Sequence, residues 1–513
     1  MPSKSSKPKK SSKFLKAALG STAAAVGGLA AYDLTQTKLA VLRNYPVVGH
    51  LRYLLTEIGP ELRQYFIERD WDGRPFSREE RDGIYARARG QESETAFGTV
   101  ADVHEIGHEY LVHSLAPKEP PKEEPRVTIG GPDCAHPYSS SLFNISAMSF
   151  GSLSKNAVRS MNKGAELGGF SQDTGEGGLS RYHLENNGDL VWELGTGYFS
   201  TRTDDGDFDP VQFKEKAAHD QVKMTELKLS QGAKPGIGGV LPASKITPEI
   251  SEIRGIPMGK DCISPAHHRV FSTPTGLIEF LVQMRELSGG KPVGFKLCVG
   301  NRREVLSICK AIREVGTGPD FIVVDGSEGG TGAAPIDFED RLGMSLTHGL
   351  MTVHNALVGA GLRDQIKIGA SGKVIGGADI VTRLIQGADY TNSGRGMMMA
   401  TGCIMAQKCN TGACPSGVAT QNPRRNRAVV VEDKSKKVRN YHRATVDQAL
   451  QIMASMGVTD PADLSPTMLR QVVSSTEARN YSQLHEWLEP GQLLDDAPET
   501  WAADWKAASA DKF

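Results

Sequence analysis

The sequence predicts an α/β fold, a (β/α)8 TIM barrel with an N-terminal helical segment before it and a C-terminal helical tail after it. Three observations lead there. From about residue 142, short apolar runs ending in Gly-rich loops alternate with helical patterns, which argues for a parallel sheet. The alternating stretch runs for about 280 residues with some eight units, the size of such a barrel. Glycine is abundant, 56 of 513 residues with no three-residue period, as expected of many tight turns and close backbone approaches to a ligand. A doubly wound open sheet is the competing architecture, but no G-x-G-x-x-G follows a first strand.

Composition sets outer bounds. Lys and Arg number 59 against 60 Asp and Glu, a net charge of −1, so the chain presents no broadly basic surface for nucleic acid. Seven cysteines are too few, and odd in number, for a disulfide framework. Four segments follow from the patterning: 1–35, a basic tail and apolar segment; 36–140, a helical region and linker; 141–425, the barrel; 426–513, a helical tail. Lys4, Lys7, Lys9, Lys10, Lys13 and Lys16 precede an uncharged stretch at 17–32. That stretch is short for a membrane span, which needs about 20 residues. A weak membrane anchor, a cleaved targeting peptide and an exposed Ala-rich segment are the three readings. The expectation is membrane association with the catalytic body on the cytoplasmic side, where thiolates stay reduced.

Residues 36–115 read as helical, with Pro46 and Pro60 as breakers, and 116–125 is a Pro- and charge-rich linker. The apolar runs then fall at 144–151, 224–236, 261–268, 292–300, 320–332, 366–372 and 389–396, with helical patterns such as 275–287 and 302–315 between them. From 426 the pattern is helical and polar, ending in a Trp- and Asp-rich stretch.

In a barrel, chemistry belongs to the loops after the strands. The loop at 326–332 offers backbone N–H groups around Ser327, Gly329 and Gly330. Gly372 and Lys373 in SGKVIGG, and Gly394 and Arg395 in SGRG, mark two successive strand-to-helix turns able to cradle a phosphate such as that of FMN; simple tight turns are the alternative. Lys296 lies mid-strand in GFKLCVG and needs an anion, either a ligand or a neighbouring barrel carboxylate. Lys228 and Lys234 flank another strand end, where each is either a ligand contact or solvated, and Glu176 in DTGEGG is either a ligand contact or a cap. The pair His267–His268 lacks partners at metal-ligand spacing, which favours a structural role. Cys403, Cys409 and Cys414, followed by Pro415, place three thiolates on one short loop. A [3Fe–4S] cluster, zinc with a distant fourth ligand and buried free cysteines are the readings; with no fourth cysteine nearby, [3Fe–4S] fits better than [4Fe–4S].

Several long motifs in one order, SFGSLS, SQDTGEGG, QGAKPGIGGVLP, ISPAHH, FKL, GGTGAAP and GCIMAQKCNTGACPSGVATQ, resemble the FMN-binding synthase domain of glutamate synthase over roughly 140–425. The resemblance implies an FMN-holding barrel with Ser149, Lys228, Gln231 and Lys296 among the cofactor contacts. It implies a [3Fe–4S] cluster on the three cysteines, Lys296 as the active-site lysine near flavin and 2-oxoglutarate, and Glu176 near the flavin ring as a proton-transfer candidate. The implied reaction reduces the imine of 2-oxoglutarate and ammonia, free or made by a separate glutaminase, to L-glutamate. Electrons would come from a donor protein such as ferredoxin, since no nicotinamide fingerprint is present. A related synthase with another amine or 2-oxo acid, such as an N-methylglutamate type, and a membrane-tethered redox relay without synthase activity are the alternatives. The chain departs from the family in having Pro2 where full-length enzymes start a glutaminase with Cys, and Lys373 and Ile375 in the late phosphate loop.

Overall fold

The computed structural model describes residues 10–91, 94 and 96–513, which fall into two units, 1–79 and 80–513. Lys4, Lys7 and Lys9 of the basic tail lie outside the described residues. In the first unit a helix Lys10–Thr35 is followed by helices Ala40–Asn44 and Gly49–Leu62. Asp33, near the end of the long helix, accepts a hydrogen bond from Val47 N at 2.8 Å and lies 2.9 Å from His50 Nε2, tying the following turn back to it. No helix among the described residues is long and apolar enough to cross a membrane, so the expected anchor gains no support.

The second unit holds a closed barrel of eight parallel strands: β1 Phe143–Ile145, β2 Ser171–Asp173, β3 Asp189–Leu194, β4 Val222–Lys228, β5 Val293–Leu297, β6 Phe321–Asp325, β7 Lys367–Ser371 and β8 Tyr390–Ser393. β8 pairs with β1, at Thr391 with Phe143, which closes the ring and excludes the open sheet. Three strand assignments needed correction. β2 and β3 are absent from the apolar runs: β2 is three polar residues, Ser-Gln-Asp, and gives no hydrophobic signal, whereas the apolar stretch of β3, Asp189–Leu194, was there to be read. Conversely, the run at 261–268 supplies no barrel strand; its Cys262–Ile263 pairs antiparallel with Val240–Leu241 in an excursion after β4.

One end of the barrel is plugged. A hairpin, Val127–Ile129 with Tyr138–Ser140, sends Ile129 and Tyr138 into a buried cluster with Val191, Met224, Phe321, Val323 and Tyr390. These are early residues of their strands, so the apolar floor leaves the C-terminal strand ends for polar groups. Helix Val431–Ser455 packs on helix Lys155–Gly168 so closely that a Cβ at Gly164 would sit 2.6 Å from Val438. The flanking regions are not purely helical, contrary to expectation: Glu109–Leu111 pairs with Leu469–Ser474, which pairs with Glu477–Asn480. The Trp- and Asp-rich end covers helix Arg302–Val315, with Asp504 Oδ2 2.7 Å from Arg302 Nε and the Arg302 guanidinium 4.4 Å from the Trp501 ring centre.

Candidate active site

Strand alternation puts one charged row inside the barrel. Glu193 on β3 is the register partner of Glu226 on β4, and Lys296 on β5 is the partner of Lys228. Lys296 Nζ hydrogen-bonds Glu193 and lies 3.6 Å from Glu226 Oε1. Asp173, at the end of β2, completes a buried set whose carboxylate oxygens lie within 4.8 Å of one another. Burial, reinforced by the neighbouring Glu193 charge, pushes the Asp173 carboxyl up to about 7. Burial and Asp173 likewise raise Glu226 well above its ordinary value. Burial acts to deprotonate Lys296, but Glu193, Glu226 and Asp173 outweigh it and hold the ammonium charged. The acids have metal-ligand spacing, yet the cation they surround is Lys296. Its anionic partner is therefore a barrel carboxylate, one of the two partners expected from the sequence.

The mouth of the barrel is built around Glu176. Its loop turns at Gly175, where φ is +64° and a Cβ would stand 2.5 Å from Ser149 N. The Glu176 carboxylate fits between Gly195 and Gly239, where added Cβ atoms would come within 2.3 and 2.7 Å of it. Glu176 Oε1 is 2.8 Å from Lys228 Nζ, which also donates to Gln231. Burial opposes ionisation of Glu176, but Lys228, Lys234 and Lys296 prevail and draw its carboxyl down to about 2. Lys234 is buried, and burial followed by the Lys228 charge lowers it. Arg254 is buried as well, donating to Phe150 O at 3.2 Å and lying 4.8 Å from the Phe199 ring centre, while its Nε has no hydrogen-bond partner. Lys228 pairs with Glu176, and Lys234 and Arg254 lie within electrostatic reach of the same carboxylate, an excess of positive charge suited to a small polycarboxylate.

Arg254 escaped the sequence reading because it ends a short helix, Pro248–Arg254, in the excursion after β4 and belongs to no Gly-rich motif. His268 is neutral, lowered to about 4 by burial; its Nε2–H donates to Lys228 O at 2.8 Å and its Nδ1 accepts from Tyr198 OH at 3.0 Å. It steadies the end of β4, a structural role.

The neighbouring ends of β7 and β8 bring the two expected phosphate turns side by side, since Ser371 and Asn392 are register partners. Gly372 has φ +141°, and an added Cβ would meet its nearest neighbours at 3.5 Å there and at 3.7 Å at Gly394, ordinary contact distances. Neither amide meets a protein acceptor among the described residues. The start of helix Gly377–Ile385 is not free to take an anion: Ile375 N and Gly376 N donate to Asp379, and Gly377 N to Gln448. Lys373 takes a left-handed φ of 52° in the turn. Arg395 reaches across to Glu328 O at 2.6 Å and covers Gly330, where a Cβ would sit 2.7 Å from its Nε. Ser327 N bonds Met344 O, Ser327 O accepts from Ala233 N, and an added Cβ at Gly329 would touch Asp325, so this loop is braced against its neighbours. Ser149 Oγ donates to Ser152. The backbone cradle fits a phosphate.

Cys403, Cys409 and Cys414 share one loop, within electrostatic reach of each other. Its backbone takes left-handed turns at Met405, Gln407 and Gly412 and is braced by Tyr85 OH, which donates to Cys403 O at 2.9 Å. Burial opposes ionisation of Cys414, but hydrogen bonds from Ser416 and the backbone of Ala419 and Val418 bring it below its ordinary value. Sulfurs bound to one zinc ion stand about 3.8 Å apart, given Zn–S bonds of about 2.3 Å. Among the described residues these three sulfurs do not form a set lying within 4.8 Å of one another.

Comparison with known proteins bears on these residues. The family model described as "Conserved region in glutamate synthase" matches residues 120–459. The chain is 37% identical over 474 residues to the glutamate synthase large subunit-like protein YerD of Bacillus subtilis, across 84% of this chain and 90% of that protein. It is 34% identical over 357 residues to the archaeal-type glutamate synthase (NADPH) of Thermotoga neapolitana, across 69% of this chain and 65% of that enzyme. The match to the archaeal glutamate synthase (NADPH) of Methanocaldococcus jannaschii is 34% over 316 residues, 61% of this chain and 58% of the other. The chain thus spans less than two thirds of the archaeal-type enzymes it matches. Among solved structures, a flavocytochrome b2 variant with sulfite bound overlaps with a TM-score of 0.43 at 15% identity, over 93% of this chain and 97% of that one.

Proposed function

The chain belongs to the glutamate synthase family, and we propose that it reduces the imine formed from 2-oxoglutarate and ammonia to L-glutamate, using FMN and a [3Fe–4S] cluster. The observation that carries this reading is the Lys228–Glu176 pair at the barrel mouth, with buried Lys234 and Arg254 in electrostatic reach of it. Two carboxylates on the substrate match an excess of buried cations, which would otherwise be costly to desolvate. Glu176, ionised and clamped between glycines, orients the nitrogen side of the imine through its negative charge.

The residues present fit both cofactors. Gly372, Lys373, Gly394 and Arg395 would hold the FMN phosphate, and Ser149, Gln231, Ser327, Gly329 and Gly330 line the adjoining loops. Cys403, Cys409 and Cys414 would hold the cluster. When bound, FMN supplies hydride and the cluster supplies single electrons. Lys296 shapes the floor beneath the site through its carboxylate pairs rather than by gripping substrate. The electron donor in this reading is a separate ferredoxin-like protein or subunit.

The test begins with the full-length protein purified without oxygen. Flavin absorption bands with a broad iron–sulfur shoulder are expected, and 2-oxoglutarate with ammonium should reoxidise the reduced flavin. A folded, colourless protein would refute the cofactor assignment. Both chromophores without substrate-dependent reoxidation would leave an electron relay.

A further inference from the structure

Lys245 stands outside the site described so far. It closes a single turn, Ala243–Lys245, in the excursion after β4, and its side chain is buried. Its Nζ donates to the carbonyl of Cys409 at 2.6 Å, and its stem runs along the cysteine loop, with Cε 3.5 Å from where a Cβ of Gly412 would lie. Among the described residues no carboxylate lies within ion-pairing distance of it. A buried ammonium with one neutral acceptor is a costly arrangement unless an anion shares the space. Burial acts to deprotonate Lys245, and the groups that oppose this through their charge are the sulfurs of Cys409 and Cys414, both within electrostatic reach.

We propose that Lys245 is the fixed counter-cation of the iron–sulfur cluster on Cys403, Cys409 and Cys414, where its charge favours the reduced state. The inference rests on the reading that this loop carries a [3Fe–4S] cluster. Three thiolates leave such a cluster anionic, and one-electron reduction adds another negative charge. A cation held beside two of the three ligands stabilises the reduced form more than the oxidised form and so raises the potential. Lys245 acts through the cluster's surroundings and touches no substrate, which makes it a positioning residue. Its hydrogen bond to Cys409 O also pins the loop backbone.

The experiment is an EPR-monitored redox titration of the whole protein, with iron and acid-labile sulfide measured in each sample. The variants are Lys245→Met, Lys245→Gln and Lys245→Arg. In Lys245→Met and Lys245→Gln the ratio of reduced to oxidised cluster at a given potential should fall about tenfold, 59 mV for a one-electron couple. Lys245→Arg keeps the charge and should stay within about threefold of the parent. Loss of iron from the two neutral variants, with retention in Lys245→Arg, would equally support a required cation. An unchanged potential in Lys245→Met overturns the proposal. So does a shift, or a loss of iron, that is equal in all three variants, since that reports packing instead of charge. A parent protein without iron and sulfide would sink the cluster assignment itself, a result visible before any variant is made.

Discussion

Lys228 and Lys296 are register partners on adjacent strands, and their ammonium groups turn to opposite ends of the site: Lys228 toward Glu176 at the mouth, Lys296 toward Glu193 and Glu226 inside the barrel. The two lysines, a single strand apart, therefore pair with different carboxylates.

Lys296→Met should act first on stability. It leaves Asp173, Glu193 and Glu226 as buried acids without their cation, and removing one partner of a buried ion pair costs about 3–5 kcal/mol. Denaturant unfolding at neutral pH should show that loss, and adding Glu193→Gln should restore part of it. A melting midpoint equal to the parent's would mean that Lys296 is not the cation holding these acids together.

Lys228→Met should act first on substrate. It removes one of three cations at the mouth, and a charged hydrogen bond is worth about 2 kcal/mol, which corresponds to roughly 30-fold in the KM for 2-oxoglutarate. Arg254→Met should give an effect of the same kind. Steady-state kinetics with each variant decide the matter; unaltered KM values in both would remove the cationic pocket from substrate binding.

Gly239→Ala tests the seat of Glu176. The added methyl would lie 2.7 Å from Glu176 Oε1 and 3.3 Å from its Cδ, and because these atoms are a side-chain end, they can move while the fold stays intact. Misplacing a catalytic group by about 1 Å costs on the order of 100-fold, so kcat/KM should fall by that order with little change in melting temperature. Full activity would show that the position of Glu176 does not matter.

Acid should remove the stability that the buried neutral histidines contribute. His183 and His442 are lowered to about 3, and His268 and His354 to about 4, each chiefly by burial. A histidine depressed in the fold binds a proton near pH 6.5 only when unfolded. Stability from this source is therefore full above that pH and is lost as pH falls toward 3–4. At pH 5 the loss is up to about 2 kcal/mol per histidine. Chemical denaturation at pH 7.5 and pH 5.0 measures it, and equal midpoints would contradict the buried neutral state.

Much of the architecture was legible because it is written in local patterns. β5 and β6 are continuous apolar stretches ending in Gly-rich turns, so both their type and their functional end could be read from residues a few positions apart. β2 was not legible, because three polar residues become a strand only when β1 and β3 lie on either side. Lys296 shows the same limit. A lysine within an apolar run signals a buried partner, but Glu193 and Glu226 lie 103 and 70 positions away in the chain and only barrel closure names them. Period-2 placement of those acids within VWEL and MTELKL was the available signal.

By itself the sequence determined that parallel strands end in loops rich in glycine and charge, and that three cysteines share one loop. Both follow from short-range chemistry: backbone conformation at glycine, hydrophobic periodicity and ligand spacing. The tertiary structure alone decided which charges meet. Lys296 is neutralised within the barrel while Lys228 pairs with Glu176, with Lys234 and Arg254 in electrostatic reach, because electrostatic pairing depends on distance in space, and the ring brings together groups from strands and loops far apart in the chain.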